Sequence, residues 1–330
     1  MHGPNSAEGD PVAITATGVT KQFAGATGLH GVDLTVPAGT VTALLGPNGA
    51  GKTTMVRILA TLLRPDAGTI RIGGYDVLRE PGQVQAIIGL TGQSVAVDAK
   101  LSGPENLRMF GRLQRLPWPV LRQRSAWLLD TFDLGRAGKR AVKTYSGGMR
   151  RKLDLALSLI AEPRILFLDE PTTGLDPASR HALWEVIRTL VRQGTTVLLT
   201  TQYLDEADAL AQKIVFLDSG RVVATGTPAE LKARAGNTQL VLAVASDRET
   251  ALLASCLSAY HAVADPGHRS VRVAVPGAGA DGLRDVRTVL DAALRSGVAL
   301  ESYTVREPDL DDVYFQLTGH ARPADLEDAA

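Results

Sequence analysis

The sequence has a single cysteine, few aromatic residues and no surplus of either charge. Cys256 is the one cysteine among 330 residues, so no intrachain disulfide can form, as is typical of a cytosolic protein. Cys and His residues show no ligand spacing, and we expect no zinc site. Cys256 itself is expected to lie buried in an Ala/Leu-rich helix. Lys and Arg total 35, as do Asp and Glu. This balance argues against a bulk electrostatic nucleic-acid binder.

Long hydrophobic runs are also missing. No apolar stretch approaches the roughly 18 residues that a membrane-spanning helix needs, so any membrane role would require a partner. Residues 1–11 carry neither the basic nor the apolar region of a signal peptide, and we expect them to be flexible. Hydrophobic residues make up 45% of the chain and charged residues 21%, a balance that excludes a wholly disordered protein.

Strands and helices alternate along the first two-thirds of the chain. Three apolar runs are typical of strands buried on both faces, namely 41–45, 165–168 and 197–199. Helical patterns cover 52–63 and 178–193, and residues 69–92 are expected to be rich in strands. Residues from about 94 to 162 are expected to be mainly helical. This alternation predicts an α/β fold with a mainly parallel sheet flanked by helices.

The composition changes near residue 236. Three strand patterns and two helical stretches follow this point, from which we predict a small α+β domain at 237–320. Residues 321–330 are expected to form a disordered tail. The larger domain would then span 12–236, with the helical segment 94–162 as a subdomain of it.

A glycine-rich segment follows the first buried strand and opens a helix. It reads Gly46-Pro47-Asn48-Gly49-Ala50-Gly51-Lys52-Thr53, which fits G-x-x-x-x-G-K-[ST]. Its glycines let backbone N–H groups surround phosphate oxygens, and the helix N-terminus adds partial positive charge. We expect these residues and Thr54 to bind nucleotide phosphates, with Lys52 at the β- and γ-phosphates and the Thr53 hydroxyl on Mg²⁺. The flanking strand and helix argue against a chance glycine-rich turn.

Two carboxylates, Asp169 and Glu170, end the second buried strand. Successive strand residues point to opposite faces, so one carboxylate can face a metal ion and the other an attacking water. Phosphoryl transfer needs both. We therefore predict that Asp169 binds Mg²⁺ and that Glu170 is the general base or positions the water. The alternative is an acidic pair favoured only by the dipole of a following helix.

A second anion-binding pattern lies upstream of these carboxylates. Ser146, Gly147 and Gly148 open a long helix, where a hydroxyl and two N–H groups would form an anion nest. One chain does not need two γ-phosphate sites, so this nest would serve an ATP bound by another subunit. The alternative is a plain helix cap followed by a solvated basic face at 150–152.

Together these motifs resemble the nucleotide-binding subunit of an ABC transporter, along residues 13–230. The resemblance implies a P-loop ATPase core with an N-terminal antiparallel β subdomain and an α-helical subdomain. It also implies a homodimer with ATP and Mg²⁺ at its interface, and a separate membrane permease. By the same resemblance, Phe23 stacks on adenine, Gln93 contacts Mg²⁺ and faces the permease, Asp176 belongs to the D-loop, and Gln202 lies in the catalytic switch segment.

A narrower resemblance is to the daunorubicin/doxorubicin-resistance type of bacterial drug exporter. It depends on the signature segment at 145–152, on the switch segment at 200–208 and on the acidic stretch 307–314. It implies export of a hydrophobic drug or antibiotic, with the chain at the cytoplasmic face of the cell membrane.

Two other classes remain as alternatives. One is a soluble ABC-type ATPase with a regulatory, ribosome-associated or DNA-maintenance role, and the other is a small-molecule kinase. A single phosphate loop argues against the ribosome-associated type, and no long coiled-coil insertion separates Thr53 from Tyr145 as in DNA-maintenance types. A kinase would not need a phosphate nest that serves another subunit.

Most members of the resembled family place histidine where this chain has Gln202. An amide can donate a hydrogen bond to a γ-phosphate but cannot gain a charge or carry a proton near neutral pH. We therefore expect Gln202→His to raise the rate of ATP hydrolysis and to introduce a pH dependence centred near about 6.5. Steady-state ATPase rates between about pH 5.5 and 8 measure both effects. An unchanged rate and pH profile would contradict this expectation.

Overall fold

The computed structural model describes residues 12–23, 26–92, 96–137, 140–265, 267–275 and 279–318. Residue contacts divide the chain into two units, with the division between Pro228 and Ala229. The boundary predicted after residue 236 lies a few residues further along the chain. The segments 1–11 and 321–330, for which we predicted flexibility and disorder, lie outside the described residues.

The first unit contains two sheets with helices between and beside them. Its strands are β1 (Val12–Phe23), β2 (Ala26–Pro37), β3 (Val41–Leu45), β4 (Ala67–Ile72), β5 (Tyr75–Asp76), β6 (Ile88–Thr91), β7 (Ile165–Asp169), β8 (Thr196–Thr201), β9 (Lys213–Asp218) and β10 (Arg221–Gly226). Its helices are α1 (Lys52–Leu59), α2 (Pro81–Ile87), α3 (Gly103–Leu113), α4 (Trp118–Thr131), α5 (Gly147–Ser158), α6 (Pro177–Arg192) and α7 (Leu204–Leu210), and α8 (Pro228–Ala235) begins at the division.

The larger sheet has the strand order β10-β9-β3-β8-β7-β6. All neighbours in it are parallel except β9 and β10, which are antiparallel. Every residue of β3, β7 and β8 is buried. The three apolar runs in the sequence are therefore confirmed as buried strands, and so is the predicted parallel sheet. Parallel pairing brings the carboxyl ends of these strands to one edge of the sheet.

The smaller sheet is antiparallel, with the order β2-β1-β4-β5. This is the antiparallel β subdomain that the resemblance implied. One hydrophobic cluster joins it to the larger sheet through α1, and it includes Ile14 and Val32 of the smaller sheet, Ile58 of α1, and Phe167 and Leu198 of the larger sheet. Because α1 buries apolar side chains against both sheets, this packing holds the helix in place, with its first residue at the edge of the larger sheet.

The helices α3, α4 and α5 lie within the segment predicted to be helical. A capping box opens α3, in which the backbone N–H of Ser102 donates to Glu105 Oε2 at 2.8 Å. Two predictions from periodicity were confirmed only in part. Helix α1 ends at Leu59 instead of continuing to residue 63, because Thr61 takes a φ of +62° that ends the helix. Residues 69–92 also contain helix α2, which sequence periodicity missed because Val84 is its one buried residue.

The second unit is a small α+β fold, as predicted. Its elements are β11 (Thr238–Val244), α9 (Asp247–Cys256), β12 (Val263–Asp265), β13 (Ser270–Val275), α10 (Gly279–Arg295), β14 (Leu300–Arg306) and α11 (Leu310–Thr318). The sheet is antiparallel, in the order β12-β13-β11-β14, and α9 and α10 pack on it around Leu242, Val273 and Leu253. Cys256 is exposed at the end of α9, so the prediction that it is buried was wrong.

Among the helices of the described segments, none combines the length and the apolar character needed to cross a bilayer.

The packing predicts unequal costs for two leucine truncations in the first unit. Leu198 is fully buried in β8, whereas Leu113 at the end of α3 is 73% exposed. Leu198→Ala should lower the free energy of unfolding by about 2–5 kcal/mol, because it leaves a cavity. The matched Leu113→Ala should change it by less than about 0.5 kcal/mol. All three tryptophans, Trp118, Trp127 and Trp184, lie in this unit, so their fluorescence during urea unfolding reports on it. Equal midpoints for the two variants would contradict the placement of Leu198 in the core.

Candidate functional site

The predicted phosphate loop connects β3 to α1 at the carboxyl edge of the larger sheet. Gly51 caps α1 with a φ of +105°, and a Cβ at this position would lie 2.6 Å from Cδ2 of Leu29. Both the backbone conformation and the close approach of the second strand therefore require glycine. The backbone N–H of Gly220, in the turn between β9 and β10, donates to the carbonyl oxygen of Ala50 at 3.0 Å. The loop is thus held by strands on both sides of it.

Lys52 is the first residue of α1 and is only 4% exposed. Its ammonium donates to the carbonyl oxygens of Gly46 at 2.8 Å and Pro47 at 2.9 Å, and lies 3.8 Å from Glu170 Oε1. Burial lowers the pKa of Lys52, while the negative charges of Glu170 and Asp169 oppose that shift. The loop therefore holds one buried cation directly beside the two predicted carboxylates.

Asp169 and Thr53 meet across the gap between β7 and α1. The Thr53 hydroxyl donates to Asp169 Oδ1 at 3.2 Å, and the Thr200 hydroxyl donates to the same oxygen at 2.6 Å. A hydroxyl and a carboxylate are the hard oxygen donors that Mg²⁺ takes, and the ion commonly completes its octahedron with water and phosphate oxygens. The predicted pair of Mg²⁺ ligands, Thr53 and Asp169, therefore fits the ion in both chemistry and proximity.

Glu170 sits at a strained turn directly after β7. Its φ is +49°, in the left-handed region that a non-glycine residue rarely adopts. The backbone N–H of Glu170 donates to both the carbonyl oxygen and the hydroxyl of Thr200, each at 3.1 Å, and the Thr173 hydroxyl donates to Glu170 Oε2 at 3.3 Å. Strain held in place by surrounding bonds is common at functional sites. The turn separates the Glu170 carboxylate from the Asp169 carboxylate and directs it toward Lys52.

A cavity of about 720 Å³ is lined by Asn48 of the phosphate loop, Gly147 of the predicted nest and Glu170. Ser146 caps α5, where its hydroxyl accepts from the backbone N–H of Met149 at 3.2 Å. The helix-cap role that we considered as an alternative is therefore present. Gly147 is exposed at the start of the same helix, so its backbone faces the cavity that the phosphate loop also lines.

The remaining predicted residues take separate positions. Phe23 is 40% exposed at the end of β1, with Lys21 Nζ 5.9 Å from its ring centroid. Asp176 caps α6, and its bonds from the hydroxyl and backbone of Ser179, at 2.6 and 2.9 Å, hold its pKa below the usual value. Gln202 is half-buried directly after β8. Gln93 lies outside the described residues.

Several buried polar residues around this site were not predicted. Among them are Arg151 and Asp154 on α5, Thr200 on β8 and Glu206 on α7. Arg151 is only 6% exposed, so the solvated basic face considered at 150–152 is wrong for this residue. Glu206 is fully buried, which raises the pKa of its carboxyl, and it accepts from Trp184 Nε1 at 3.4 Å. The sequence signal that could have identified them is a polar side chain within an apolar pattern, such as the pair Thr200 and Thr201 at the end of a buried strand.

Solved structures share the fold of about two-thirds of this chain. An ATP-binding subunit of an ABC transporter superposes with a TM-score of 0.61 at 29% identity, over 67% of this chain and 92% of that chain. The ADP conformation of MJ1267, an ATP-binding cassette of an ABC transporter, superposes with a TM-score of 0.60 at 23% identity, over 66% and 92% of the two chains. The fold is that of an ABC ATPase.

Sequence comparisons extend this likeness along nearly the whole chain. The ABC transporter family model matches residues 29–173. The daunorubicin/doxorubicin resistance ATP-binding protein DrrA of Streptomyces peucetius is 48% identical, over 95% of this chain and 94% of that protein. The doxorubicin resistance ATP-binding protein DrrA of Mycobacterium tuberculosis is 46% identical, over 94% of each. The chain therefore belongs to the ABC transporter family as an ATP-binding protein, and it is an ATPase.

The hydrogen bonds of Thr200 predict that its hydroxyl supports the Asp169 carboxylate and the backbone of Glu170. Thr200→Val keeps the shape of the side chain but removes the bond to Asp169 and the bond from the backbone of Glu170. We expect the ATPase rate or the apparent affinity for Mg²⁺ to fall roughly 10–100-fold, as is common when the partner of a metal ligand is lost. Titration of Mg²⁺ at saturating ATP measures both quantities. Thr200→Ser should retain most activity, and the exposed Thr288→Val is the matched control. A wild-type Mg²⁺ titration for Thr200→Val would contradict this role.

Proposed function

We propose that this chain is the ATP-hydrolysing subunit of an exporter and that it powers efflux of a hydrophobic, drug-like compound through a separate membrane permease. The observation that carries this proposal is the likeness to drug-resistance ATP-binding proteins over 94–95% of the chain, which includes the second unit. The grouping of a buried lysine, a hydroxyl and two carboxylates at one sheet edge supplies the chemistry that such a subunit needs.

Hydrolysis would use the residues of this sheet edge in separate roles. Lys52 would neutralise the β- and γ-phosphates of ATP, since its ammonium is already held within the loop. Thr53 and Asp169 would hold Mg²⁺, which when bound neutralises charge on the phosphates. Glu170 would take a proton from the attacking water, whose oxygen bonds to the γ-phosphorus as the bond to the β–γ bridging oxygen breaks. Gln202 would donate a hydrogen bond to the γ-phosphate.

Two copies of the chain would enclose two ATP molecules. The exposed start of α5, residues 146–148, would contact the γ-phosphate of an ATP held by the phosphate loop of the second copy, because helix N-termini bind anions. Phe23, exposed at the end of β1, would stack on the adenine ring. Asp176 would lie at the interface, and Gln93 would contact Mg²⁺ and face the permease.

The helical subdomain is the proposed contact with the permease. A cavity of about 250 Å³ lies between β6 and the helices α3 and α5, lined in part by Leu90, Phe110 and Leu157. Its lining mixes these apolar side chains with polar ones such as Gln85 and Gln114, which suits a short amphipathic segment of a partner protein. Since α5 also carries residues 146–148, a movement of the subdomain would reach both the permease and the second nucleotide site. The chain would then act at the cytoplasmic face of the cell membrane.

The proposal predicts that an ATP-bound assembly can be trapped by Glu170→Gln. The amide keeps the shape of the side chain but cannot accept the proton of the attacking water, so hydrolysis should fall at least about 100-fold while ATP stays bound. Tagged Glu170→Gln, pulled down with ATP and Mg²⁺ from detergent-solubilised membranes of the native host, should bring down a multi-span membrane protein in roughly equal amount. Glu185→Gln, which alters a carboxylate exposed on α6, is the matched control and should hydrolyse ATP normally.

Two outcomes would contradict the proposal in different ways. If the trapped protein comes down alone, or with ribosomes or DNA-maintenance factors, the chain is a soluble ABC-type ATPase and the transport role fails. If Glu170→Gln hydrolyses ATP at the wild-type rate, the role of Glu170 fails whatever protein comes down with it.

A further inference from the structure

Arg151 is a buried cation whose every N–H group has an acceptor. A guanidinium has five N–H donors and no acceptor. In this structure Nε donates to the carbonyl oxygen of Pro171 at 2.9 Å, and Nη2 donates to those of Asp169 and Glu170, both at 3.1 Å. Nη1 donates to the carbonyl oxygen of Gly92 at 2.7 Å and to Asp154 Oδ2 at 3.4 Å. These five bonds match the five donors.

Three of these acceptors are consecutive carbonyls of the strained turn at Glu170. Asp169, Glu170 and Pro171 are therefore fixed by one planar group that reaches them from α5. A φ of +49° at Glu170 is costly, and it persists only where surrounding groups determine the backbone. The bonds from Arg151 fix the carbonyl groups of the turn, and Thr200 fixes its N–H group by accepting from Glu170.

The other two acceptors anchor the guanidinium. Asp154 lies one helical turn from Arg151 on α5 and is only 4% exposed, and its Oδ1 accepts from the backbone N–H of Ala96 at 2.8 Å. Gly92 directly follows β6. The buried pair of Arg151 and Asp154 thus joins three parts of the first unit, namely helix α5, the backbone near the end of β6 and the turn at Glu170.

Negative charges around the buried guanidinium of Arg151 favour its charged form. Burial lowers the pKa of Arg151, and the negative charges of Asp154, Asp169, Glu206 and Glu170 oppose that shift. A lysine would keep the charge but could not match acceptors in five directions, because its ammonium has three donors at one point. The arrangement therefore depends on the shape of the guanidinium as well as on its charge.

We propose that Arg151 is a positioning residue for ATP hydrolysis, whose guanidinium fixes the backbone turn at Glu170 to helix α5 and to the end of strand β6. This inference rests on the proposed role of Glu170 as the group that accepts the proton of the attacking water. Because Ser146 caps α5 and Gly147 begins it, the same bonds connect the nest that would contact the second copy's ATP to the proposed general base of this copy.

The test compares Arg151→Lys with Arg192→Lys, the same change at an exposed position on α6. We expect Arg151→Lys to lower kcat about 10–100-fold, the effect of a misplacement of about 1 Å in a reacting group. The Kd for a fluorescent ATP analogue should change less than about twofold, because Arg151 does not lie in the phosphate loop, and Arg192→Lys should match the wild type in both. Unchanged kcat in folded Arg151→Lys protein, or loss of nucleotide binding in proportion to kcat, would overturn the proposal.

A double variant separates this proposal from the role of Glu170. Single-turnover rates are measured for Glu170→Gln with and without Arg151→Lys. If Arg151 acts through Glu170, the second change should add less than about twofold to the loss caused by the first. Full additivity would overturn the positioning role, whereas wild-type hydrolysis by Glu170→Gln alone would instead overturn the role of Glu170.

A milder change covers the case in which Arg151→Lys does not fold. Asp154→Asn keeps an oxygen to accept from the backbone of Ala96 but removes the charge that faces Arg151. We expect a several-fold lower kcat and an unchanged Kd for the ATP analogue, which is a smaller effect of the same kind as that of Arg151→Lys. A folded Asp154→Asn protein with wild-type kcat would overturn the proposal.

Discussion

The parallel pairing of β3, β8 and β7 is the constraint on which the site depends. Leu45 pairs with Thr201, and Asp169 pairs with Thr200, so the phosphate loop, the carboxylates and the switch segment all begin at one edge of the sheet. A shift of one residue between two strands would turn each side chain to the opposite face. Asp169, the last residue of β7, would then point away from Thr53. The division of labour proposed for these two carboxylates therefore depends on backbone register before it depends on any side-chain contact.

The support of the site is polar and buried, although charged side chains are rarely buried in proteins unless they are paired. The charges of Lys52, Arg151 and Glu206 are each taken out of water, at a cost that only nearby acceptors, donors or opposite charges can offset. Many of the acceptors are backbone carbonyls of the same turns that carry the chemical groups. The positions of the side chains and the path of the backbone are therefore mutually dependent. Removing one of these side chains would disturb the backbone turns, and distorting a turn would displace the side chains.

Much of the fold could be predicted because short-range patterns determine it. A continuous apolar run is enough to indicate a strand buried on both faces, and glycines before Lys52 are enough to indicate a phosphate loop. Helix α2 and the burial of Arg151 could not be predicted in this way. Helix α2 buries Val84 fully and Ile87 only in part, so it leaves little periodic signal. The acceptors of Arg151 come from segments as distant as Gly92 and Pro171, and only the folded chain brings them together. The phosphate loop and the carboxylates could be proposed from local sequence patterns, while the residues that support them required the structure.

The left-handed backbone at Glu170 has a consequence for how this protein can change. Glycine or asparagine would adopt a φ of +49° with less strain, yet neither supplies a carboxylate. The backbone and the chemistry therefore favour different residues at one position. A substitution of Glu170 that made the protein more stable would therefore lower its turnover, and this conflict is common at functional sites. A screen of variants for heat resistance alone would enrich proteins that have exchanged this glutamate and lost their activity.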